Sequence, residues 1–163
     1  MIFYNGRGSG NVPYDFIILK KREFLSRSID YSLNKLLFEF YIYEGRFSDM
    51  TYLHMLYNES MQEYYIVFTY FSDKQEQKFM VMVDNNDGDL IRKTIEKAKI
   101  NKKVKMVQGL LDGFTVGFIF KEKDIYEWWV ICPKEWGRLI KVTNILLKYL
   151  PNDIKACYEG RIN

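Results

Sequence analysis

Apolar and polar positions along the chain alternate in some stretches and recur at helical spacing in others, and this contrast predicts the elements. Residues 2–4 and Tyr14–Leu19 read as strands on either side of the loop Gly6-Arg7-Gly8-Ser9-Gly10-Asn11-Val12-Pro13. Phe24, Leu25, Ile29 and Leu33 recur at helical spacing and predict a short amphipathic helix. Over 35–43, Leu36, Phe38, Phe40 and Ile42 alternate with Leu37, Glu39, Tyr41 and Tyr43. Asp30 as a cap and Gly45 as a stop would also permit a helix there, but aromatic and β-branched content favours a strand. Residues 50–57 carry the same ambiguity, with Thr51, Leu53, Met55 and Tyr57 alternating behind a capping-type Asp49.

The next elements have a single reading. Glu63–Phe71 and Gln77–Val83 flank the polar turn Ser72–Glu76 and form a β-hairpin. Asp84–Asp89 breaks the second strand and opens a helix to about Asn101. Strands follow at 103–108, 114–121 and 125–132. A last helix starts near Pro133, ends at Pro151, and lines one face with Trp136, Leu139, Ile140, Thr143, Leu146, Leu147 and Leu150. The fold class is α+β: a mainly antiparallel sheet with two or three helices, the C-terminal helix packed on one sheet face. With no repeat or linker in 163 residues, the chain reads as one domain.

Composition narrows the chemistry. His54 is the only histidine and Cys132 and Cys157 are the only cysteines, so multi-histidine and cysteine-rich metal sites are excluded. No metal and no cofactor is expected. The N-terminus lacks the basic-then-apolar pattern of a signal peptide, and no apolar run is long enough to span a bilayer. A cytoplasmic protein with reduced thiols and no membrane partner is the reading. Abundant Phe, Tyr, Ile, Asn and Lys beside two alanines match AT-rich codons, an association with bacterial, mobile-element or phage accessory genes.

Local motifs yield no catalytic residue. The glycine loop 6–11 leads into a strand, so no helix dipole backs it as a phosphate cradle would require. Registering Gly88 as the sixth position of a calcium loop puts Val83 and Thr94 where carboxylates are needed, so Asp87 or Asp89 reads as a helix cap. His54 would need an orienting carboxylate, with Asp49 and Glu59 each five residues away, and reads as a packing or interface residue. Cys132 emerges from a buried strand and reads as inert.

Charge is segregated. Residues 1–35 carry a net +3, residues 36–90 a net −7 and residues 91–163 a net +7, within an overall +3. Two surfaces follow. The acidic, tyrosine-rich middle, with Glu39, Glu44, Asp49, Glu59, Glu63, Tyr64, Asp84, Asp87 and Asp89, suits a basic protein partner. The preferred reading is an immunity- or inhibitor-type protein that blocks the basic active-site cleft of a toxin or effector. The alternative is nucleic-acid binding through Arg92, Lys97, Lys99, Lys102, Lys103 and Lys105. A carboxylate-dependent enzyme is the third reading. Oligomeric state is left open.

Overall fold

The computed structural model describes residues 33–44, 49–71, 76–97, 114–120, 124–129 and 131–158. The expected strands at 2–4, 14–19 and 103–108 lie outside these residues, as does the expected helix from Lys21 to Leu33 except for Leu33 itself. Six strands are present among the described residues: β1 (Asn34–Glu44), β2 (Asp49–Asn58), β3 (Glu63–Phe71), β4 (Glu76–Val83), β5 (Phe114–Phe120) and β6 (Asp124–Trp129). The helices are α1 (Asn85–Lys97), α2 (Gly137–Leu147) and α3 (Asn152–Tyr158), with a 3-10 turn at Lys134–Trp136 leading into α2. All pairings are antiparallel, and the sheet order is β4-β3-β2-β1-β5-β6. The architecture is α+β.

Both ambiguous stretches are strands, and pairing explains why. Phe40, Leu53 and Phe68 stand in one row across β1, β2 and β3, and Phe118 of β5 continues it. A helix over 35–43 would have placed those side chains around a cylinder instead of along one face. Phe118 packs edge-on against Phe40 at 4.9 Å and stacks on Trp128 at 5.9 Å, aromatic contacts that stabilise neighbouring strands beyond simple burial.

One sheet face and the helices share a single core. Phe38, Ile42, Met55, Ile66 and Val116 from the sheet are buried with Ile91 of α1, Leu139, Val142 and Leu146 of α2, and Ile154 of α3. Trp136 meets Tyr126 edge-on at 5.4 Å, which fixes the entry to α2. A hydrogen bond of 2.8 Å between Thr51 Oγ1 and the Tyr158 hydroxyl ties α3 to β2. The segment after Pro151 therefore forms a further helix, where the sequence pattern ended with Pro151 as a stop.

Strict alternation in β1 fails at one place. The register slips between Leu36 and Phe38, so Leu36 pairs with Leu56 on the opposite face from Phe38, which pairs with Met55. Leu37 is the extra residue of a β-bulge, a device that re-aims side chains along one strand. The expected in-phase series Leu36, Phe38, Phe40, Ile42 is broken at its first member.

Candidate functional site

The acidic positions singled out by the sequence separate into three groups. Glu59, Glu63, Asp84, Asp87 and Asp89 converge at one end of the sheet. Asn58 pairs with Glu63 across the β2–β3 turn, Tyr64 pairs with Val83, and Asp84 follows Val83 into α1. Glu44 and Asp49 pair with each other at the opposite end of β1 and β2, about 30 Å away along a strand of this length. Glu39 is neither: it is 2% exposed on the sheet face away from the helix core. Buried there, its carboxylate offers a partner no surface.

At the convergent end several acids have structural duties. Asp84, not Asp87 or Asp89, caps α1: its Oδ1 accepts the N–H groups of Asn86 at 2.8 Å and Asp87 at 3.4 Å. Asp87 accepts the Tyr149 hydroxyl at 2.8 Å and faces Lys148 at 3.4 Å. Burial and Asp87 push the Tyr149 hydroxyl up to about 12, so it donates at any physiological pH. Asp89 accepts the Tyr64 hydroxyl at 2.7 Å. Tyr64 is itself buried beneath α1, where a Cβ on Gly88 would overlap its ring. Glycine at 88 is what lets the helix approach that closely. Tyr64 is thus an internal clamp and not a surface anchor.

Glu59 stands on the β2–β3 turn and Glu63 at the start of β3. Glu59 is exposed and has no ion-pair partner among the described residues, while Glu63 is half-buried and accepts the Tyr65 hydroxyl. Asn58 closes the turn by accepting the Met61 N–H at 3.0 Å, and Gln62 adopts φ 56°. The turn places both residues at the end of the sheet where α1 begins.

Of the basic set, Arg92 and Lys97 lie on α1, and Lys99, Lys102, Lys103 and Lys105 lie outside the described residues. Arg92 is already engaged: it pairs with Glu96 at 3.1 Å and lies 5.5 Å from the Tyr57 ring centroid. Lys97 is exposed, and its carbonyl accepts Arg138 at 2.5 Å, joining α1 to α2.

The second face of the sheet holds a buried polar row that sequence reading missed. Tyr52, Tyr41, Gly117 and Glu127 lie in register across β2, β1, β5 and β6, and Glu39 lies beside His54 in the next row. A Cβ on Gly117 would fall within the Tyr41 ring. The glycine allows that ring to lie across β5, so that its hydroxyl donates to Glu127 Oε2. Burial pushes the Glu127 carboxyl up to about 7, with the Tyr41 bond opposing the shift. Burial, then the Glu127 charge, raises the Tyr41 hydroxyl well above 10. His54 Nε2 stands 3.8 Å from Glu39 Oε1, and its ring meets Tyr52 edge-on at 5.0 Å. The carboxylate near His54 is therefore Glu39, brought in by strand pairing, and not Asp49 or Glu59. The legible signal was Gly117, since an isolated glycine within a strand marks a close approach.

Cys132 is half-buried and directs its thiol at the carbonyls of Pro133 (3.6 Å) and Trp136 (3.5 Å). Burial first, then Glu135, pushes it up to about 12, the opposite of an activated nucleophile. Among the described residues, no three His, Cys, Asp or Glu side chains are grouped to hold a metal. No helix among them is long and apolar enough to cross a membrane. Comparison with known proteins returns no matching family model, no matching curated protein and no matching solved structure.

Proposed function

We propose that this chain acts by binding another protein, as an immunity- or inhibitor-type module that occupies a basic cleft of a toxin or effector. The observation that carries the reading is exposed Glu59 on the β2–β3 turn and Glu63 at the start of β3, at the same end of the sheet as the acidic start of α1. Asp84, Asp87 and Asp89 hold the helix end in place, while Glu59 is exposed and Glu63 is half-buried against Tyr65. A cluster of carboxylates at one end of the sheet steers a cationic partner. The mechanism is steric occlusion with electrostatic complementarity.

The test is recovery of bound chains with the tagged protein from its host, with and without nuclease and at two salt concentrations. A stoichiometric protein that survives nuclease and moderate salt is expected. Glu59→Lys with Glu63→Lys should weaken that complex by about tenfold or more, mostly through slower association. An affinity and salt dependence untouched by this double reversal would overturn the mechanism. Recovery of nucleic acid alone, lost at high salt, would transfer the function to the Arg92–Lys105 segment. A chain recovered without any partner would count against both binding modes.

A further inference from the structure

β4 forms one edge of the sheet, and no described strand pairs with its outer side. It contains neither proline nor glycine, and its ladder with β3 runs without a bulge from Tyr64↔Val83 to Phe71↔Glu76. An edge this regular is a template for another strand. On the face turned away from the helix core it carries Lys78, Met80 and Met82 at alternate positions, all exposed, the methionines by 69% and 62%. Asp84, also exposed, stands two residues beyond Met82 at the strand exit.

The series cation, methionine, methionine, anion is its own complement when read in the reverse direction. We propose that two copies of this chain associate by antiparallel pairing of β4 with β4 about a two-fold axis at Val81. In that register Lys78 of each copy faces Asp84 of the other, and Met80 faces Met82. On the helix face Val81 meets Val81 and position 79 meets Val83, so the two sheets continue into one. The contact is isologous and closes on itself, as a two-fold interface must.

Neighbouring registers are worse for stated reasons. An axis at Met80 sets Asp84 opposite Glu76, two acids. An axis at Met82 sets Asp84 opposite Met80 and carries Lys78 past the end of the partner strand. A shift by one residue would place the methionines of one copy against the helix-side residues of the other. Lys78, which on an edge strand ordinarily discourages pairing, here selects a single register.

The test is sedimentation equilibrium of the full chain over a concentration series. The parent chain should dimerise. Lys78→Asp should weaken the dimer roughly a hundredfold, because two symmetric attractions become repulsions, and Met80→Lys should abolish it. Both positions are exposed, so circular dichroism should confirm an unchanged fold. Combining Lys78→Asp with Asp84→Lys restores opposite charges across the axis and should recover part of the affinity, despite loss of the α1 cap. A parent chain that stays monomeric to about 1 mM overturns the proposal. So does a dimer indifferent to both Lys78→Asp and Met80→Lys.

Discussion

Replacing Gly117 with alanine probes the buried polar row most directly. The added Cβ would coincide with the Tyr41 ring, so ring and methyl cannot both stay in place. Tyr41 is fully buried, and moving its ring withdraws the hydroxyl from Glu127. Overpacking of this kind costs about 1–3 kcal/mol. A buried hydrogen-bonding pair left unmade adds about 1–3 kcal/mol. The expected loss is therefore about 2–6 kcal/mol, a large part of the about 5–15 kcal/mol that holds a domain folded. Urea unfolding followed by far-UV circular dichroism should show a lower midpoint at unchanged slope. Gly137→Ala is the matched control: at the start of α2, with φ −54°, its Cβ meets nothing within 4 Å. That change should be neutral or stabilising by up to about 1 kcal/mol. Tyr41→Phe completes a cycle. Once Gly117→Ala has broken the bond to Glu127, removing the hydroxyl should cost at least about 1 kcal/mol less than it does in the parent. A Gly117→Ala chain within about 1 kcal/mol of the parent, or strict additivity with Tyr41→Phe, would refute the reasoning.

Two further outcomes follow from burial. The Glu127 carboxyl is raised from 4.5 to about 7, so the folded chain holds a proton that the unfolded chain releases. Its contribution is complete below about pH 4.5 and is lost as the pH rises through about 7, by roughly 3–4 kcal/mol in total. Denaturation midpoints of parent and Glu127→Gln measured from pH 5 to 8 should diverge accordingly, and parallel curves would contradict the assignment. The Cys132 thiol, raised to about 12, should react with a disulfide reagent at pH 8 at least about tenfold more slowly in the folded than in the unfolded chain. Peptide mapping by mass spectrometry distinguishes it from Cys157, and equal rates in the two states would count against its burial.

The candidate acids show how far local sequence reaches. That Asp84–Asp89 ends a strand and opens a helix was legible, because helix starts have a chemical signature in the residues themselves. Which acid caps was not: the helix starts at Asn85, so Asp84 takes the role, while Asp87 and Asp89 lie inside it and accept from Tyr149 and Tyr64, residues 62 and 25 positions away. Glu39 reads locally as one more surface acid; the pairing of β1 with β2 sets it beside His54, and both are buried. Glu127 sits between Tyr126 and Trp128 and alternates away from the aromatic face, which for a lone strand means solvent. Tyr41, reaching over Gly117, turns that position into an interior one.

The sequence by itself determined the elements that depend on neighbours within a few residues. These are the alternation of β3 to β6, the hairpin of β3 and β4, the helix after Asp84, and the helix between Pro133 and Pro151; that 35–43 and 50–57 are strands came from pairing. It also determined the α+β class, since antiparallel strands and amphipathic helices each leave an apolar face that must be covered. Only the tertiary structure decided the strand order, with β5 inserted against β1, and the bulge at Leu37. The same structure decided which carboxylates face outward and which are buried. The physical reason is that periodicity assigns a side chain to one of two faces, whereas what lies on that face is set by register between segments distant in the chain.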